Sequence, residues 1–275
     1  MKLGLRIVLA GVVMLGAGSA YSNSDGPVQM WQTQAAQPKA SYLGGQPLPG
    51  GLELVPLPPV AGSARETRDL AGAEAAIQQQ SGPRWDLAAA DADLRPGRAS
   101  AAFSCAAGFP IDHDHAPALN ALLDRALADL GLSTSEVKKR YSRARPFMVN
   151  GRPSCTPTSD SGLRKDGSYP SGHSAIGYGF GLILAEIVPD RAAQLVARGR
   201  AYGDSRRICN VHWMSDIEEG RNVAAATVMR LNADPAFRAD LDAARAEVAA
   251  LRAKSPVTPT TCAAESEALA RTAAF

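Results

Sequence analysis

The chain has 275 residues, 45% hydrophobic and 20% charged, enough to bury one substantial core without a second domain. Its 29 basic residues against 27 acidic ones make no sequence-wide positive field of the kind that grips nucleic acid or anionic lipid, so any gathering of cations must be local. Past the first twenty residues no apolar run reaches the roughly 20 residues of a membrane span; the stretch 176–188 holds Glu186 and is of core-helix length.

In chain order, Lys2 and Arg6 precede an apolar stretch over 7–18 that ends in Gly18, Ser19 and Ala20. A basic start, a short apolar centre and a small-residue end describe a secretory signal peptide over 1–20. The expected location is therefore the periplasm or the medium. Lys2 and Arg6 are the whole basic excess, so the remainder is near neutral. Residues 21–62 form an extended arm, since Pro47, Pro49, Pro56, Pro58 and Pro59 block helix and central strand alike. Leu52, Leu54, Val55 and Leu57 are placed to pack on the body or on a partner subunit.

Helical patterning dominates from residue 63. Candidate helices cover 71–79, 86–94, 100–107, 118–130 and 135–141, with Ser133 and Glu136 at capping-box spacing before the last. Three more cover 175–187, 189–202 and 213–231, and Asp234-Pro235 starts another that runs to 253. Strand signals are nearly absent. The expectation is an all-α fold: a compact helical bundle over 63–254, the active site where helix ends converge, and a C-terminal tail over 255–275.

Chemistry concentrates in three clusters: Lys138 with Arg145-Pro146, Pro170-Ser171-Gly172-His173, and Arg206 with His212 and Asp216. A phosphoryl group in transfer spreads negative charge over its equatorial oxygens and needs fixed donors aimed at them. Two arginine forks and a lysine point charge supply such donors. Ser171 and Gly172 precede an apolar helix, where backbone N–H groups face a positive helix end. Asp216 lies four residues past His212, a spacing that lets its carboxylate fix the imidazole tautomer from the same helical face. His212 is thus the candidate nucleophile, forming a phosphohistidine, and His173 the candidate acid for the leaving oxygen.

Taken singly, each of these residues reads as a solvated charge or a satisfied polar group. Their joint spacing carries the argument. Asp112-His113-Asp114-His115 is the local rival, but it matches no metal-ligand spacing and precedes Pro117 at a helix start, where such residues serve as caps. The pocket itself calls for no metal and no cofactor, because its cations are side chains. Four cysteines suit an oxidising compartment and allow three pairings. Cys155 and Cys209 flank segments that must meet at one phosphate, which favours Cys155–Cys209 and leaves Cys105–Cys262.

The clusters resemble the three-part signature of the phosphatidic acid phosphatase type 2 superfamily. The words YSRARPF (141–147), GSYPSGH (167–173) and YGDSRRICNVHWMSD (202–216) are similar to those of the class A bacterial nonspecific acid phosphatases. The resemblance implies His212 as nucleophile, His173 as acid, Asp216 as orienter, and Lys138, Arg145, Ser171, Gly172 and Arg206 on phosphate. It implies a metal-independent hydrolase of phosphomonoesters, nucleotides included, with phosphate or vanadate as ligand or inhibitor, and a homodimer. Two other readings share the anion site: a vanadate-dependent haloperoxidase and a nonenzymatic phosphate-binding protein.

Overall fold

The computed structural model describes residues 41–44, 46–256 and 259–271, and no strand occurs among them. The segment 1–20 read as a leader lies outside the described residues. The helices of seven or more residues are α1 (Ala64–Ile77), α2 (Pro83–Ala90), α3 (Pro117–Leu132), α4 (Ser135–Tyr141), α5 (Gly172–Ile187), α6 (Ala192–Ile208), α7 (Met214–Asn232), α8 (Pro235–Ala253) and α9 (Cys262–Ala270). Shorter helical turns lie at Arg98–Ala101, Ser104–Ala107, Pro146–Asn150 and Asp160–Leu163.

α5 is the axis of the bundle. Its residues Ile176, Phe180, Ile183 and Leu184 are fully buried, and α3, α6 and α7 pack around it. The α5–α6 approach is close enough to need glycine: a Cβ on Gly199 would stand 2.7 Å from the carbonyl oxygen of Gly177. α8 closes the other side of α3, burying Phe237, Leu241, Ala244 and Val248 at helical spacing. Asp234 starts α8 as expected, accepting from the N–H groups of Ala236 and Phe237.

Several boundaries differ from the sequence expectation for local reasons. α1 begins at Ala64, seven residues early, because Ser63 caps it by accepting from Glu66 N–H. The stretch 100–107 splits into two turns. Ser133 and Glu136 form no capping box: Ser133 Oγ donates to Asp129 O, closing the end of α3 instead. The stretch 255–275 contains α9, held by the Cys105–Cys262 bond and by Glu265 against Arg198. The second disulfide joins Cys155 to Cys209, and each bridge of this kind stabilises by roughly 2–4 kcal/mol.

The described part of the arm lies on the body. Tyr42 and Leu43 N–H groups donate to the Asp129 carboxylate, the Tyr42 ring meets Phe237 edge-on at 5.2 Å, and Tyr169 Oη donates to Pro56 O. Val55 is buried, while Leu52, Leu54 and Leu57 stay exposed.

Candidate active site

The loop between α6 and α7 is shaped by Asn210, whose φ of 61° turns the chain back so that both Val211 and His212 N–H groups donate to Arg206 O. Asn210 Nδ2 reaches the carbonyls of Arg152 and Pro153, and Phe147 N–H donates to Asn210 O. The Cys155–Cys209 bond adds a covalent tie at the same place. Arg145, at the start of the turn Pro146–Asn150, and Arg206, in the last turn of α6, are 61 residues apart in sequence and are thereby held on segments stitched together.

His212 precedes α7 rather than lying on it, which corrects the expectation of a shared helical face. Asp216 sits in the first turn of α7 and folds back over its N-terminus, accepting from Trp213 N–H at 2.8 Å and facing His212 Nδ1 at 3.2 Å. On the other side of the ring, Arg145 NH1 lies 3.0 Å from His212 Nε2. A guanidinium only donates, so Nε2 is the acceptor and the ring proton resides on Nδ1, toward Asp216. The nitrogen with the available lone pair is Nε2.

Of the remaining expected residues, Ser171 joins this centre through a direct bond. Ser171 N–H donates to Asp216 O, and a Cβ on Gly220 would stand 2.5 Å from Ser171 O, so the loop before α5 seats on the start of α7. Ser171 Oγ caps α5 by accepting from Ser174 N–H, which leaves the first-turn N–H groups of Gly172 and His173 for an anion. His173 Nε2 is 3.1 Å from Ala92 O, fixing that ring with Nδ1 as its other nitrogen. Lys138, near the end of α4, is buried, as are Arg145 and Arg206.

The electrostatics follow from three buried cations in one place. Burial pulls Lys138 down to about 8 and Arg206 down to about 10. Burial, then Arg145, Lys138 and Arg206, hold His212 well below the ordinary histidine range; burial and Arg206 do the same to His173. Both rings are therefore neutral near neutral pH before a phosphoryl anion binds. Burial raises the Asp216 carboxyl, and Arg143 opposes that rise. Arg206 Nε and NH1 are buried with no hydrogen-bond partner. A guanidinium stranded in this way is costly unless an anion arrives.

Three residues were not visible in the sequence. Arg143 donates to Asp216 Oδ1 and to Asp69 Oδ2, each at 2.7 Å, and Asp69 in turn accepts from Ser215 N–H and Oγ. Asp166 bridges Lys138 and Arg145. Nothing in the sequence pairs Arg143 with residue 69 or 216, and Asp166 is marked only by standing next to GSYPSGH. Arg143→Ala is expected to lower stability by about 3 kcal/mol in urea denaturation, because two buried carboxylates lose their cation. It is also expected to cut kcat about tenfold or more with KM little changed, since Asp216 loses its orientation; unchanged kcat in a folded variant would contradict this.

The other sequence candidates fall elsewhere. Asp112 accepts from the N–H groups of Asp114 and His115 and from His115 Nδ1, so it organises a turn. His113 and Asp114 point into solvent, and no group of three such side chains able to hold a metal occurs among the described residues. Trp213 is buried, donating from Nε1 to Ala144 O beneath Arg143. No described helix is long and apolar enough to cross a membrane.

A profile of the PAP2 superfamily matches residues 119–237. The chain is 38% identical over 217 residues to an acid phosphatase of Zymomonas mobilis, covering 78% of this chain and 81% of the relative. A non-specific acid phosphatase of Providencia stuartii is 39% identical over 217 residues, 78% of this chain and 88% of its own. One from Salmonella typhimurium is 41% identical over 167 residues, 60% of this chain and 67% of its own.

Proposed function

From the premise that this chain belongs to the PAP2 superfamily, as a class A bacterial acid phosphatase that hydrolyses phosphomonoesters, we propose that it works without a metal and through a phosphohistidine on His212. The observation that carries this reading is Arg206: a buried guanidinium with two unpartnered nitrogens, beside a histidine whose Nε2 lone pair faces the same cations. Lys138, Arg145 and Arg206, with the N–H groups of Gly172 and His173, hold the equatorial oxygens. When those oxygens take the Arg145 donors, Nε2 is freed to attack phosphorus in line.

The ester P–O bond breaks as the N–P bond forms, and His173 Nδ1 gives its proton to the departing oxygen. In the second step the same nitrogen, now neutral, takes a proton from water as the water oxygen attacks phosphorus, releasing phosphate and restoring His212. His173 is held well below the ordinary histidine range, so its proton arrives with the substrate: either the monoanion brings it, or the dianion's charge raises His173 enough to bind one. Phosphate monoesters lose that proton near pH ~6. The acidic side is accordingly the active side, and the limb set by protonation of His212 lies well below the ordinary histidine value.

The leader over 1–20 and the two disulfides support export to the periplasm or medium. Broad substrate tolerance including nucleotides, inhibition by phosphate or vanadate, a homodimer, and the division into arm, catalytic body and tail belong to the same proposal. The test is a phosphatase assay with p-nitrophenyl phosphate and nucleoside monophosphates in EDTA between pH 4 and 8. Activity that persists in chelator and declines above neutrality is expected. Loss in EDTA restored by a divalent cation, or a steady rise into alkaline pH, contradicts the reading.

A further inference from the structure

Arg206 keeps two buried nitrogens without a hydrogen-bond partner, whereas Lys138 and Arg145 are both paired. Asp166 Oδ2 lies 3.1 Å from Lys138 Nζ and 3.1 Å from Arg145 NH2. One anionic oxygen shared by two cations is the arrangement a phosphoryl oxygen would adopt there. The side chain of Asp166 is 19% exposed while those of Lys138 and Arg145 are 5% and 1% exposed, so the carboxylate has a way out and the cations do not.

The backbone beneath Asp166 is pinned. Leu163 O and Asp166 O accept from Arg145 Nε, Gly167 O accepts from Lys138 Nζ and Arg145 NH2, and Ser168 N–H donates to Arg143 O. A Cβ on Gly167 would stand 2.7 Å from Lys138 O, so this stretch has no slack against α4. Displacing the carboxylate therefore calls for side-chain rotation of Asp166 and not for backbone movement.

We propose that Asp166 is an internal competitor for the phosphoryl group: its carboxylate holds Lys138 and Arg145 in position in the empty pocket and is displaced when phosphate oxygens take those donors. The inference rests on the reading of this pocket as the phosphate site. Without the carboxylate, the buried cations would repel one another in the empty state. With it, every phosphate that enters binds more weakly by the strength of the contacts it replaces, and product phosphate leaves more readily for the same reason. Arg145 and Asp216 are the other charges acting on Lys138, which burial lowers to about 8; at pH 6 the ammonium is charged.

The test is Asp166→Asn in the full-length enzyme at pH 6, with inorganic phosphate as probe. The substitution keeps the shape and one acceptor oxygen but removes the charge. The inhibition constant for phosphate is expected to fall roughly tenfold, with KM for p-nitrophenyl phosphate falling in parallel. Phosphate should also raise the melting temperature of the variant more than that of the parent, a readout independent of turnover. Asp166→Ser, which removes charge and reach together, should tighten phosphate in the same sense. An unchanged or raised inhibition constant in both variants overturns the role of Asp166 while leaving the pocket assignment intact. A parent enzyme that turns over monoesters yet is indifferent to phosphate overturns the pocket assignment, and this inference with it.

Discussion

His212→Ala is expected to lower kcat by 10⁴-fold or more, because the proposed covalent step would lose its nucleophile, for which there is no partial substitute. The surroundings offer none. Lys138 is protonated at mildly acidic pH, guanidinium groups do not attack, and His173, with Nε2 engaged by Ala92 O, offers only Nδ1, the nitrogen the proposed mechanism sets on the leaving-group side. Phosphate binding should stay within a few-fold, since Lys138, Arg145 and Arg206 all remain. Rapid quenching of the parent with labelled substrate should yield protein-bound phosphate that is stable in alkali and lost in acid, and the variant should carry none. A variant with a hundredth of parental kcat would rule out His212 as the nucleophile.

The features that could be read from the sequence share a cause: each is dictated over a short span. Asp234-Pro235 announces α8 because a capping carboxylate and an N1 proline act within one turn. Lys138, Arg145, Ser171, Gly172, His173, Arg206, His212 and Asp216 stand out because cations and imidazoles gathered in tight words match what phosphoryl chemistry needs. The apolar pattern places the start of α1 too late because the packed face includes Asp69, a carboxylate at a core position that breaks the apolar period. That carboxylate is tolerated because Arg143, 74 residues away, and Ser215 meet it. Asp166 is hidden for the same reason, its cations lying on other segments. α9 has little amphipathic pattern to read, and is fixed in place by the Cys105 bridge and the Arg198–Glu265 pair.

The support beneath His173 shows the same division between legible chemistry and illegible scaffolding. The PSGH word names the histidine, but what aims it is Ala92 O, from the stretch after α2, and the Tyr202 ring stacked at 6.5 Å. Asp91, next to that carbonyl, is locked by Arg198 and accepts from Ser205 Oγ, so the position of Ala92 is set by a buried ion pair reaching from α6. A ring fixed at Nε2 has Nδ1 as its other nitrogen, and a proton delivered from there, as proposed, is needed in proportion to how poor the leaving group is.

His173→Ala should therefore separate substrates by leaving group. For nucleoside monophosphates, whose alkoxide must be protonated as it departs, kcat/KM is expected to fall by about 10²–10⁴-fold. For p-nitrophenyl phosphate the first step should suffer far less, because nitrophenolate leaves without a proton. The second step loses its base with either substrate. The variant should then release one equivalent of nitrophenol in a burst, followed by slow turnover as the phosphoenzyme accumulates. Truncation also strands Ala92 O without its donor, a loss of about 1–3 kcal/mol that stopped-flow data alone would confuse with a catalytic defect. His173→Gln restores a donor at comparable reach, so its melting temperature should recover toward the parent while the burst persists. Equal losses for both substrate classes with no burst would show that His173 neither protonates the leaving group nor activates water.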